Sequence, residues 1–165
     1  MLRALLILGT AAVLEAVPAA AQQAESDKTA MEVARVWWRA AEPMYSKQDA
    51  AGFSELHTPD ATFLPAVTPV GKGGVIHGRQ GIKDFFVGVF RQGLNGASAS
   101  VLEAHAIDGS AVWAVGELRL SGEREGKPIQ FTTRFGQILI RSDKAWLARM
   151  TVVTSDAPPG AGPAK

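Results

Sequence analysis

Lys127-Pro128-Ile129-Gln130-Phe131-Thr132-Thr133-Arg134-Phe135-Gly136-Gln137-Ile138-Leu139-Ile140-Arg141 is the stretch that decides the fold. Its aromatic and β-branched residues alternate with polar ones, a strand period and not a helical one. Phe131, Thr133, Phe135, Gln137 and Leu139 share one face; Gln130, Thr132, Arg134, Ile138 and Ile140 share the other. Turn signals bound it, 122–126 before and Ser142-Asp143-Lys144 after. Outward from it, segments at about 98–107, 110–121 and 145–155 repeat the texture, with Asp108-Gly109 as the remaining turn. Connections this short make neighbours antiparallel, so the C-terminal half is a four-strand meander.

In 110–121, Trp113, Val115, Glu117 and Arg119 alternate with Val112, Ala114, Leu118 and Leu120. The aliphatic set is the better core. Glu117 and Arg119 then lie on the outer face as cross-strand charge partners of Arg134. A one-residue slip would turn Glu117 and Arg134 inward as a buried acid–base pair.

Upstream the period is helical. Thr29-x-x-Glu32 has capping-box spacing, and Val33, Val36, Trp37, Ala40, Ala41 and Met44 make an apolar face. A helix over about 30–47 follows, with Pro43 kinking or ending it near Arg39–Ala40. Asp49 caps a short helix over 50–57 that buries Phe53 and Leu56. Thr58-Pro59-Asp60 reads as a turn and 61–67 as a strand that Pro65 ends or confines to an edge. Residues 68–74 read as a loop and Val75-Ile76-His77 as a short extended piece. Gly78 opens a helix carrying Ile82, Phe85, Phe86, Val89 and Phe90, with Gly93 as its stop. Helices segregated from an antiparallel meander define an α+β fold.

Four segments are expected: a signal peptide 1–21, a flexible lead-in 22–28, one domain 29–155 and a disordered tail 156–165. Met1-Leu2-Arg3, the apolar run 4–14 and the small residues Ala19-Ala20-Ala21 fit a secretory signal cleaved after Ala21. The run is shorter than the roughly 20 residues that cross a bilayer, so no membrane span is expected after cleavage. The expected location is periplasmic or secreted. With a net charge of +1, the chain has no broad electrostatic footprint for nucleic acid. It has no cysteine, which excludes disulfides, thiolate nucleophiles and cysteine-held metals.

Asp49-Ala50-Ala51-Gly52-Phe53-Ser54-Glu55-Leu56, Pro59-Asp60-Ala61-Thr62-Phe63 and the segment from Ile76-His77-Gly78-Arg79-Gln80-Gly81 to Phe85-Phe86 resemble the nuclear transport factor 2-like superfamily. So does the closing strand and turn, Gln137 to Trp146. Within the superfamily the chain is most similar to the SnoaL-like branch and related secreted domains. The resemblance implies a cone: a curved antiparallel sheet wrapped around a long N-terminal helix, as in cystatin-like folds. It also implies that the face bearing Thr133, Phe135 and Gln137 lines the cone, and that the outer sheet face pairs two copies as a homodimer. The ketosteroid isomerases of the superfamily use a carboxylate base, a tyrosine and a protonated aspartic acid. Their positions fall here on Pro65, near Ala41 and near Gln137, which argues against that chemistry.

The run Gly71-Lys72-Gly73-Gly74 fails nucleotide-fingerprint spacing, and Gly96-x-Ser98-x-Ser100 lacks the second glycine of a nucleophile elbow. His57, His77 and His105 are too far apart in sequence to form a helical metal pair, so neither metal nor cofactor is expected. His57 and Asp60 read as a local hydrogen-bonded pair, and Arg79 as a structural pair to sheet or loop. The acid–base candidates are His77 at a strand–helix junction, Glu117, and Tyr45, the only tyrosine and the best oxyanion-type donor if it faces inward. The expected ligand-binding set is Trp38, Tyr45, Phe63, Thr133, Phe135 and Gln137.

Three functions follow. The first is an exported domain binding a small hydrophobic molecule in a mainly apolar cone. The second is a SnoaL-like enzyme performing isomerase-, cyclase- or dehydratase-type proton transfer on a hydrophobic carbonyl compound. The third is a non-catalytic dimerisation or interaction module, the reading that an essentially filled cone would favour.

Overall fold

A computed structural model of the chain describes residues 19–66, 73–143 and 145–155. Most of the expected signal peptide, most of the loop 68–74 and the whole tail 156–165 lie outside the described residues. The elements are α1 (Ala19–Ser46), α2 (Ala50–Glu55), β1 (His57–Leu64), β2 (Ile76–His77), α3 (Gly78–Arg91), β3 (Leu94–Asp108), β4 (Ala111–Arg124), β5 (Lys127–Arg141) and β6 (Trp146–Ser155). The strands form one sheet in the order β2-β1-β6-β5-β4-β3. All neighbours run antiparallel except β1 and β6, which are parallel. The α+β fold and the meander are as the alternation predicts.

Three local readings change. The stretch 22–28, expected as a flexible lead-in, is helical, because α1 starts at Ala19. Thr29 is therefore an interior residue and not a cap; its hydroxyl donates back to the Glu25 carbonyl at 3.1 Å. The buried stripe of α1 is also rotated. Ala30, Ala34, Trp37, Trp38, Ala41 and Tyr45 are buried, whereas Val36 is 51% exposed. Burying Trp38 and Tyr45 removes more apolar surface than burying Val36 and Ala40, and the small alanines bring the helix close to the sheet. Pro43 neither ends α1 nor leaves it short: it sits in the last turns, where few backbone bonds remain to be lost.

The third change concerns 58–60. The expected turn is absorbed into β1, where pairing with β6 jumps from His57↔Ala148 to Thr62↔Met150. β1 ends at Leu64, immediately before Pro65, as the missing donor requires. Asp49 caps α2 as expected, accepting from the Gly52 amide at 2.8 Å.

The meander register places Val112, Ala114, Leu118 and Leu120 inside together with Thr133, Phe135, Gln137 and Leu139. Glu117 lies directly opposite Arg134 on the outer face, so the slipped register with a buried acid–base pair does not occur. β4 and β5 join through Glu125-Gly126, both at positive φ, the two-residue turn whose twist suits a hairpin.

Gly93 closes α3 at φ 96°, and a Cβ there would overlap the Glu123 carbonyl oxygen. Gly93→Ala is expected to cost about 3 kcal/mol, from an unfavourable φ and a collision with backbone that cannot rotate away. A urea midpoint equal to the parent's would refute this.

Candidate functional site

The interior of the sheet is closed by α1 on one side and α3 at one end, leaving an apolar slot. It encloses about 50 Å³ and is open to solvent. Small-molecule pockets start near roughly 300 Å³, so side chains fill most of the cone. The slot they leave admits part of a small molecule, which separates it from the fully filled cone that would leave only an interaction module. Phe85, Phe86 and Val89 of α3 form one wall, Leu118 and Leu120 of β4 the other, and Pro65 and Ala66 stand beyond the end of β1. Tyr45 reaches it from α1 and Phe63 from β1. Tyr45 supplies the only hydroxyl in this lining, and burial pushes that hydroxyl well above the ordinary phenol range. It is a hydrogen-bond donor at any working pH and not a base.

Of the six expected ligand-binding residues, the slot takes two, Tyr45 and Phe63. The other four are buried outside the slot, and Trp38 also borders a separate, polar groove between α1 and β3 with Arg35, Glu42 and Ser98. Trp38 lies on Phe135 with ring centroids 4.7 Å apart. Thr133 donates to the Leu118 carbonyl at 3.3 Å, and the Gln137 amide donates to the Thr151 hydroxyl at 3.3 Å. The residues missed, chiefly Phe85, Phe86, Val89, Leu118 and Leu120, are legible in sequence as apolar stripes. Only their shared cavity is not.

The acid–base candidates do not converge. Tyr45 is inside; Glu117 is on the outer face, across the sheet. His77 is exposed at the start of α3, pairs with Thr62 through the backbone, and makes no side-chain cap. Arg79 has the structural role expected of it, donating to the His57 carbonyl and the Glu55 carboxylate, each at 2.7 Å.

His57 is the titratable group that sequence reasoning places wrongly. The expected partner, Asp60, accepts instead from the Thr58 hydroxyl at 2.9 Å and pairs with Arg149 at 3.2 Å. His57 points inward, fully buried among Trp37, Phe53 and Phe63. Its Nδ1 lies 3.0 Å from the Phe53 carbonyl, which can only accept, so Nδ1 carries the proton. Nε2 keeps an unshared lone pair and makes no hydrogen bond. Burial lowers its pKa to about 4. Trp38 Nε1 and Gln137 Oε1 are the other buried polar atoms without a partner among the described residues. Among the described residues no group of three His, Asp or Glu side chains is placed to hold a metal ion. No described helix is long and apolar enough to cross a membrane.

Residues 37–147 match the SnoaL-like domain, more than half of the chain, and the protein belongs to that family. Its fold is shared with solved structures of low identity. A ketosteroid isomerase-like protein from Erwinia carotovora atroseptica superposes with a TM-score of 0.64 at 11% identity, over 78% of this chain and 97% of that one. Aln2 from a Streptomyces species gives 0.64 at 18% identity, over 78% and 91%. A domain of unknown function with a cystatin-like fold from Nostoc punctiforme gives 0.63 at 14%, over 79% and 80%. No curated protein matches the chain in sequence.

Proposed function

We propose that this chain is an exported small-ligand-binding domain whose slot takes the apolar end of a small molecule, a ring edge or a short chain. The observation that carries the reading is the lining: aromatic and aliphatic on every wall, with the Tyr45 hydroxyl to orient a polar atom. The rest of the ligand extends out of the slot toward solvent. Among the described residues lining the slot, no base stands beside Tyr45, so the binding reading is placed ahead of the SnoaL-like proton-transfer alternative. Export rests on the N-terminal sequence pattern.

A second observation supports homodimerisation through the outer sheet face. Trp113, Ile138 and Met150 are paired in one row across β4, β5 and β6, and all remain partly exposed. Leu102, 62% exposed, adds to the apolar surface from β3. The same face is what the interaction-module alternative uses.

Native mass spectrometry of the protein purified without refolding, followed by titration with 1-anilinonaphthalene-8-sulfonate, tests both parts. A dimer that retains extra mass or binds the probe is expected. Ala66→Phe fills part of the slot and is expected to weaken probe binding about tenfold, the equivalent of about 1.4 kcal/mol. A bare dimer with no probe binding replaces the ligand reading with the interaction module. A monomer removes the dimer.

A further inference from the structure

On the side of the sheet away from the slot, His105 of β3 sits between two carboxylates on different elements. Its Nδ1 is 3.1 Å from Asp27 Oδ2 on α1, and its Nε2 is 2.8 Å from Glu103 Oε1 on its own strand. The ring lies over Trp113 of β4, its direct cross-strand partner, with centroids 4.9 Å apart and planes 30° apart. A neutral imidazole has one N–H and serves one carboxylate, leaving the other facing a lone pair. Only the doubly protonated ring donates to both, and that form adds a cation–π attraction to its stacking on the indole.

The position on α1 gives this pair a mechanical consequence. From 22 to 29 every residue is exposed except Ser26 and Asp27; the helix's buried stripe begins with Ala30. Gln23 braces the same carboxylate, its amide donating to Asp27 Oδ1 at 2.9 Å. Asp27–His105 is therefore the most N-terminal ion pair that ties the helix to the sheet among the described residues.

We propose that His105 is a pH-operated clamp: its charged ring fastens the first turns of α1 to the β3–β4 edge, and losing the proton releases them. The charged groups facing the ring are Asp27 from α1 and Glu103 from β3, while β4 contributes the uncharged Trp113. Lys28 and Glu25, next along α1, pair with each other, and Asp108 is taken up by Ser110. The Glu103 hydrogen bond, then Asp27, raises the His105 pKa above its ordinary value. A raised folded-state value means the contribution is fully present below about pH 6.5 and is lost as pH rises through the raised value.

Hydrogen exchange of residues 22–31 in the intact chain, corrected for intrinsic rates, tests the clamp at about pH 5.5 and about pH 8.5. Protection several-fold greater at the acid pH is expected. The difference should vanish in both His105→Gln and Asp27→Asn, while β5 stays equally protected in all three proteins. Trp113 emission should titrate with His105 and lose that titration in His105→Gln. Equal protection at the two pH values overturns the proposal. So does a pH difference that persists in His105→Gln.

Discussion

Phe53→Ala is expected to lower the unfolding free energy by about 3–5 kcal/mol, seen as a lower urea midpoint at unchanged slope. Phe53 stands where three elements meet. Its ring contacts Trp37 and Tyr45 of α1, His57 of β1 and Phe86 of α3, with centroids 6.2, 5.5, 5.1 and 4.1 Å away. Truncation removes the ring's burial and leaves a void that rigid aromatic neighbours cannot fill. It also unseats Tyr45, so probe binding in the slot should weaken with stability. A loss below about 1 kcal/mol would mean that α2 and α3 collapse onto the space, contrary to the packing described.

Acid should destabilise the protein through His57. Its folded-state pKa is about 4, against about 6.5 in an unfolded chain. Between those values the unfolded state binds the proton and the folded state does not. The stabilising contribution is full above about pH 6.5 and is lost as pH falls toward about 4, amounting to roughly 3 kcal/mol over the window. Urea unfolding at pH values across this range should show the parent losing stability more steeply than His57→Gln, whose amide keeps a donor for the Phe53 carbonyl. Identical slopes would assign the acid loss to the carboxylates. His105 acts with the opposite sign and on the surface, so the two histidines separate in the variants.

Much of the fold is legible in the sequence because it rests on short-range rules. The alternation in 127–141 sets which side chains of that strand share a face, and the hairpin turns leave antiparallel pairing as the short connection. Asp49 capping α2 and Pro65 ending β1 are local consequences of one acceptor and one missing donor. The face of α1 is not legible, since Val36 and Trp38 both fit a helical stripe and only the area buried against β3 and β5 chooses between them. His57 is misread for the same kind of reason. Asp60 is near in sequence, but β1 carries the ring inward and Arg149 arrives from β6 to take the carboxylate.

The candidate site divides in the same way. Sequence by itself determined the α+β class, the SnoaL-like resemblance and which side chains of β4 and β5 share a face, because strand period and turn length act over a few residues. Only the tertiary structure decided which of those faces turns inward, leaving Glu117 outside, and that Thr133, Phe135 and Gln137 pack outside the slot while Trp38 borders the groove between α1 and β3. It also decided that the slot forms from Tyr45, Phe63, α3 and β4, and that Asp27 meets His105. Those outcomes depend on how closely a helix approaches a curved sheet, and that distance is set by the summed volumes of residues far apart in the chain.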